Sequence, residues 1–282
     1  MAESGCFKGK VVVVTGAASG IGREIALAFA RRGARLAVAD INAGALEKVR
    51  LELSSSGSEV YAQVVDVSMA ADVKSFCDSV YREMGRVDVL CNNAGIGIGG
   101  RFEDVTLEDW EWTLGVNLWG VIHGCHYFYP RMIAQGGGGH IVNTASGAGI
   151  APLPLMTAYC CSKYAVVGFS ETLRAEAALH GIGVSAICPG IVNTPITQSA
   201  KLCSGTERST SQQLQDRIVN IYARRNYTPD RVAAAVVKAV EKNKGVVPVC
   251  PETYLGDWIH RASRKVNDIG LARSVRLFLQ RL

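Results

Sequence analysis

Lys10-Val11-Val12-Val13-Val14-Thr15-Gly16-Ala17-Ala18-Ser19-Gly20-Ile21-Gly22 is the stretch that decides the fold of this chain. Four consecutive valines read as a strand buried on both faces. Glycines follow at once, and a helical pattern then runs to about Arg32. Such a turn lets the backbone approach a pyrophosphate closely, while the helix N-terminus offers unpaired N–H groups and the positive end of its dipole. A lone glycine cluster is weak evidence; the strand–turn–helix setting is what the mechanism needs. Gly16, Ser19, Gly20, Ile21 and Gly22 are therefore the expected phosphate-binding turn, set against the plainer reading of a turn with no ligand.

Outward from this stretch the same rhythm repeats. Arg35–Ala39, Glu59–Val64, Val87–Cys91, His140–Thr144, Gly183–Cys188 and Val246–Val249 carry strand signatures, with helical patterns around 43–54, 70–84, 107–134 and 157–180 between them. Apolar strands separated by helices predict an α/β fold: a doubly wound parallel sheet of the Rossmann type, about seven strands, helices on both faces. One domain is expected over 1–282. Gly136–Gly139 reads as a turn before a strand. The rhythm breaks at about 193–228, where Lys201–Gln213 is polar and Leu214–Arg225 has a helical pattern. This segment reads either as a substrate-side lid or as a solvated loop.

The chain has 282 residues, 48% hydrophobic and 20% charged, enough to bury a sizeable core. A net charge of +5, without a basic stripe interleaved with aromatics, gives no case for nucleic acid. The nine cysteines form no CxxC pair or zinc-like spacing, and an odd number spread through apolar runs suits packing in a reducing cytoplasm. Cys160 and Cys161 stand beside the motif treated next, with packing favoured over a redox role. His123 and His126 lack a third convergent ligand, so no metal is expected. Trp110, Trp112 and Trp119 read as packing or interface residues. Met1–Lys10 has no apolar signal core, and no run is long enough to span a bilayer.

Asp40 closes the second strand. A carboxylate there can accept both ribose hydroxyls of NAD and would repel the 2′-phosphate of NADP. Ile41 is not basic and position 19 holds Ser, so NAD is expected ahead of NADP. Tyr159-Cys160-Cys161-Ser162-Lys163 puts a phenol and an ammonium on one helix face. A phenol of pKa near ~10 exchanges protons poorly at neutral pH, and a neighbouring cation lowers that value. Tyr159 then becomes a usable general base or acid, and Ser146, at the end of the His140 strand, can hold a substrate oxygen against it.

These motifs occur together with Asp66 after the third strand, Asn92-Asn93-Ala94-Gly95 after the fourth and Pro189-Gly190 after the sixth. In this order the sequence resembles the short-chain dehydrogenase/reductase family, from about residue 8 to 195. The resemblance implies further roles. Asp66, with Val67 beside it, should bond the adenine amino group. Asn93, Ala94 and Gly95 should steady the sheet and meet the adenosine ribose. Asn117 looks like the family's helix-distorting Asn, which holds a water linking Lys163 to solvent. Lys163 should also bind the nicotinamide ribose, and Val192 and Thr194 should contact the carboxamide. A homodimer or homotetramer through the 107–134 and 157–180 helices is implied as well.

The chain departs from the family pattern in two places. Ala145 stands where many members have a second Ser, and Pro251–Leu282 extends beyond the usual end of acyl-carrier-protein reductases. The basic amphipathic extension, about 252–282, can lie on an anionic membrane, cover a neighbouring subunit or stay solvated. Gly147, Ala148, Ile150, Leu153, Leu155 and Met156 follow Ser146 and read as an apolar pocket side. The expected activity is thus NAD(H)-dependent interconversion of a secondary alcohol and a ketone, on a steroid-, terpenoid- or lipid-like small molecule. An NADPH-dependent carbonyl or 3-oxoacyl reductase is the nearer alternative, and a non-catalytic nucleotide sensor the more distant one.

Overall fold

Val11, Val12, Val13 and Val14 are all fully buried. They sit in β1 (Val11–Thr15), which has a parallel strand on either side. Side chains alternate across a strand, and the two cores follow that alternation. Val11 and Val13 join one cluster with Phe76, Leu90, Phe128 and Ile141. Val12 and Val14 join the other with Ile25, Phe29, Leu36 and Val236. The computed structural model describes residues 7–196, 200–203 and 227–262.

After β1 come α1 (Gly20–Ala30), β2 (Arg35–Asp40), α2 (Ala43–Ser55), β3 (Val60–Val64), α3 (Ala70–Met84) and β4 (Val89–Asn92). Next are β5 (Ile98–Gly100), α4 (Leu107–Leu114), a π turn (Gly115–Trp119), α5 (Gly120–Gln135), β6 (Gly139–Thr144), α6 (Thr157–Ala177) and β7 (Ile182–Cys188). β8 (Lys201–Cys203), α7 (Pro229–Glu241), β9 (Val246–Pro248) and α8 (Pro251–Ala262) complete the described elements. The main sheet has seven strands in the order β3-β2-β1-β4-β6-β7-β9, and every pairing is parallel. The chain starts in the middle, winds outward to β3, then returns to the other side of β1. That reversal opens a crevice at the carboxyl ends of β1 and β4, where doubly wound sheets take their ligands.

The seven expected strands and the helices between them are all present. Three details differ. The single helix read at 107–134 is α4, a π turn and α5, because an extra residue is accommodated at Gly115–Trp119. The helix read at 157–180 ends at Ala177 and finishes in a 3₁₀ turn, Ala178–His180. Lys201–Cys203, read as the start of a polar loop, is a strand paired with Ile98–Gly100. Most of the segment 193–228, and the extension beyond residue 262, lie outside the described residues. Among the described residues no helix is long and apolar enough to cross a membrane.

Candidate active site

The glycine turn is built by close approach. Gly16 and Gly20 have φ of +65° and +52°, left-handed values that side chains disfavour. A Cβ on Gly22 would overlap the Gly16 carbonyl oxygen and come within 2.5 Å of Asn93 Nδ2. Ser19, ahead of α1, is extended, with φ −158° and ψ 173°, and its side chain makes no cap. The opening N–H groups of α1 are thus left to whatever enters the crevice. The turn is held from behind by β4. Asn93 N and Ala94 N donate to Thr15 Oγ1 at 3.0 and 3.2 Å, and Asn93 Nδ2 donates to the carbonyl oxygens of Thr15 and Gly16 at 3.1 and 3.4 Å. Backbone this close, with free donors at a helix start, fits a dinucleotide pyrophosphate.

Asp40, the last residue of β2, points its carboxylate at the same turn: Oδ2 accepts from Ala18 N at 3.0 Å and Oδ1 from Asn42 N at 2.9 Å. Ile41 beside it is exposed. Asp66, just beyond β3, accepts from Ser68 N at 2.9 Å and Ser68 Oγ at 2.7 Å. Val67 is buried against Gly120, and its carbonyl oxygen meets His123 Nδ1 at 2.9 Å. His123 therefore belongs to this corner, and His126 packs edge-on against Tyr127. No group of three metal-ligating side chains occurs among the described residues.

On the opposite wall, α6 presents Tyr159 and Lys163 one turn apart. Lys163 is 3% exposed. Its Nζ lies 5.7 Å from the Tyr159 ring centre and donates to the Thr144 carbonyl oxygen at 3.0 Å. Burial pushes its pKa down to about 8, partly offset by Cys188. Ser146 follows the end of β6, and its Oγ accepts from Ala148 N at 3.1 Å. Asn117 sits in the π turn, fully buried. Its Oδ1 accepts from Ile96 N at 2.8 Å, and its Nδ2 donates to Ile96 O at 3.1 Å and Ser162 Oγ at 3.2 Å. Ser162 Oγ donates in turn to the Tyr159 carbonyl at 2.7 Å, so Asn117 braces the start of α6. Gly95 closes the gap: a Cβ there would lie 3.2 Å from Asn117 Oδ1 and 3.5 Å from Lys163 Nζ.

The third wall is the segment after β7. Gly147 N donates to Pro189 O at 2.6 Å, and Ile191 N donates to Glu252 Oε1 at 2.9 Å. Gly190 is pressed against Glu252 and Thr253 of α8. Val192 and Thr194 are both buried, and Thr194 lies against Gly20 of the phosphate turn, 3.4 Å from a Cβ placed there. The apolar residues after Ser146 need correcting. Ala148 and Ile150 are buried, Ile150 within the main core, so they support the site and do not line it. Leu153 is exposed, and Leu155 and Met156 are half-buried. Cys160 is buried and exchanges hydrogen bonds with the Leu153 backbone, a packing role.

Two residues escaped the sequence reading. Thr15 carries the hydroxyl that receives two N–H groups of the β4 loop, and Thr144 holds Lys163 by its carbonyl and Asn93 Oδ1 by its hydroxyl, at 3.2 Å. Thr15 stood inside the quoted motif; Thr144 gave no signal beyond lying two residues before Ser146.

A parallel sheet reversed at β1 and β4, a glycine turn on one side and a phenol–ammonium pair on the other is the arrangement of a dinucleotide-dependent oxidoreductase. The comparisons agree. The family model described as short chain dehydrogenase matches residues 10–202. "Probable oxidoreductase EphD" of Mycobacterium tuberculosis is 44% identical over 251 residues, covering 89% of this chain and 42% of that protein. The chain therefore spans less than half the length of that relative. The D-threitol dehydrogenase of Mycolicibacterium smegmatis is 40% identical over 229 residues, covering 81% of this chain and 85% of that one. A Burkholderia phymatum short chain dehydrogenase/reductase, solved in complex with NAD, superposes with a TM-score of 0.85 at 34% identity, covering 92% of this chain and 95% of that one. This chain belongs to the short chain dehydrogenase family.

Proposed function

We propose that this chain interconverts a secondary alcohol and a ketone with NAD(H), and that Tyr159 moves the proton. One observation carries the reading: a buried ammonium, Lys163, lies 5.7 Å from the centre of the Tyr159 ring. With a pKa of about 8 the amine is mostly protonated at neutral pH. Its charge favours the phenolate and brings the Tyr159 proton within range of exchange. Ser146 already accepts the Ala148 N–H, so its own hydroxyl proton is the one it can give to a substrate oxygen. Asn117 acts through structure, fixing Ile96 and Ser162 on either side of the pair.

When bound, the dinucleotide accepts or returns the hydride. The turn residues Gly16, Ser19, Gly20, Ile21 and Gly22 would hold its pyrophosphate, with Asp66, Val67, Asn93, Ala94 and Gly95 along the adenosine. Lys163, Pro189, Gly190, Val192 and Thr194 would border the nicotinamide end. NAD is favoured because Asp40 carries a negative charge at the end of β2 and Ile41 offers no cation to a 2′-phosphate. The accessible Leu153, Leu155 and Met156 favour an apolar substrate of the steroid, terpenoid or lipid class. Exposed Trp112 and Trp119 on the α4–α5 face favour association of copies of the chain.

A panel of apolar alcohols and ketones, with polyols included, tests this by NADH and NADPH absorbance. Turnover with NADH ahead of NADPH is expected, Asp40→Ala should narrow that preference, and Tyr159→Phe should lose about 10²-fold or more. Unchanged turnover in Tyr159→Phe overturns the reading.

A further inference from the structure

β8 is three residues long and pairs with β5 in a two-stranded sheet of its own. A ladder that short does not hold itself together in water, so other contacts must keep it in place. The glycines of β5 permit the approach: a Cβ on Gly97 would lie 3.1 Å from that of Ala200, and one on Gly100 would come within 2.5 Å of the Cys203 carbonyl oxygen. Having no side chains, they supply little adhesion. The adhesion comes from Asp109, on α4.

Successive side chains of a strand point to opposite faces, and β8 uses both. Lys201 and Cys203 take the face towards α4, where both reach Asp109. Lys201 Nζ donates to Oδ1 at 2.6 Å and Cys203 Sγ to Oδ2 at 3.4 Å. Asp109 also closes the capping box of α4, accepting Thr106 N at 3.3 Å. Its side chain is 5% exposed, against 55% for Lys201. An ion pair on open surface adds little, but here one partner is buried, and loss of the cation would leave its charge uncompensated. Lys201 accordingly holds the Asp109 carboxyl below the usual carboxylate range. Leu202 takes the other face. Its Cδ2 lies 3.4 Å from a Cβ placed on Gly99, and the Leu155 carbonyl oxygen lies 3.5 Å from the same point. That carbonyl accepts Gly100 N at 2.8 Å, and Leu155 has a φ of +62°, which a leucine adopts only when its surroundings impose it.

We propose that Asp109 is a positioning residue: through Lys201 and Cys203 it pins β8, and so sets Leu202 beside Leu155 on the substrate side of the site. The substrate role rests on the reading of Leu155 as part of an apolar substrate wall. β5 joins that wall to the chemistry, because Gly95, shortly before it, lies against Lys163 and Asn117, and Ile96 is hydrogen-bonded to Asn117. The glycine turn is held separately, by Asn93 and Thr15, so loss of the anchor falls on the alcohol and spares NADH.

Cys203 reports on the anchor without any substrate. Its thiol is half-buried, and burial together with the Asp109 charge pushes its pKa up to about 11, so it reacts slowly in place. Lys201→Met acts on it in two opposed ways. Removing the cation raises the thiol pKa further and by itself slows alkylation, whereas freeing β8 exposes the thiol and speeds it. An iodoacetamide pulse on the full chain, read by peptide mass spectrometry with the exposed Cys161 as internal standard, separates the two. Cys203 is expected to react about fivefold faster or more in Lys201→Met, and in Lys201→Arg, which keeps the cation, at the parent's rate. In steady-state kinetics with decan-2-ol, Lys201→Met should raise KM about threefold or more, with kcat and NADH affinity within about twofold. Asp109→Asn, which keeps an acceptor for the cap, should raise KM likewise, and the double variant no further. Should Asp109→Asn not fold, the half-exposed Lys201 position carries the test alone. Cys203 reactivity unchanged or lowered in Lys201→Met, an unchanged KM, or an NADH affinity that falls in step with it overturns the proposal. A parent that turns over neither decan-2-ol nor decan-2-one removes the proposed chemistry, and the substrate role with it, while alkylation still decides whether Asp109 pins β8.

Discussion

The hydroxyl of Thr144 donates to Oδ1 of Asn93 across 3.2 Å, and so ties the wall that carries Lys163 to the wall that carries the glycine turn. Thr144 holds Lys163 Nζ through its carbonyl, while Asn93 holds Thr15 and Gly16 through its amide. Thr144→Val keeps the shape and the carbonyl but deletes the link. A hydrogen bond of this kind is worth about 0.5–1.5 kcal/mol. The variant should raise the KM for NADH by about two- to tenfold with a smaller change in kcat, measured by steady-state kinetics. An unchanged KM would show that the two walls hold their positions separately.

Gly22→Ala puts a methyl group into the Gly16 carbonyl oxygen and against Asn93 Nδ2. Both neighbours are backbone or held by backbone, so the turn must shift. NADH affinity, followed by fluorescence titration, should fall about tenfold or more. Affinity within twofold of the parent would mean the turn tolerates the shift without disturbing its ligand.

Lys163 is charged where charge is expensive. Its folded pKa, about 8, lies below its ordinary 10.5, because burial disfavours the ammonium. Between those values the unfolded chain binds the extra proton, so the penalty is complete below pH 8 and gone above pH 10.5. It amounts to about 3 kcal/mol, less about 1 for the bond to Thr144. Lys163→Met should therefore stabilise the protein by about 2 kcal/mol near neutrality while abolishing turnover. In urea melts of parent and variant the advantage should disappear on approaching pH 10.5; a gain independent of pH refutes the assignment.

His140 reports from the other end of the sheet. It is 5% exposed, its Nε2 lies 2.7 Å from Ser185 Oγ, and burial, with a contribution from Arg174, lowers its pKa from 6.5 to about 4. On acidification the unfolded chain protonates first, so stability falls between pH 6.5 and 4, by about 3 kcal/mol in all. His140→Gln should flatten that limb of the stability–pH curve. A parallel curve for the variant would place the acid sensitivity elsewhere.

The strands were legible because a sheet covered on both faces demands apolar runs, and Val11–Val14 is such a run. The phenol and the ammonium were legible because an α-helix brings positions four apart onto one face. The π turn at Gly115–Trp119 was not: one extra residue in a long helix barely disturbs its periodicity. β5 and β8 were missed because Ile98-Gly99-Gly100 and Lys201-Leu202-Cys203 have little strand propensity, and they pair across a hundred residues of chain. Ile150 was misread since an apolar residue beside a site has the same sequence signature whether it lines the pocket or supports it. Thr144 escaped for a related reason, as its two bonds exist only once β4 lies beside β6 and α6 packs over them.

The centre-outward winding of the sheet has a consequence for assembly. β1 and its glycine turn belong to the first half of the chain, the phenol and the ammonium to the second, and β4 is the seam between them. Neither half contains a working cleft, and an excised N-terminal lobe would carry half a nucleotide site with no chemistry beside it. On the proposed chemistry, recovery of turnover during refolding should not run ahead of the docking of the two lobes, so catalysis would serve as a gauge of completed tertiary structure.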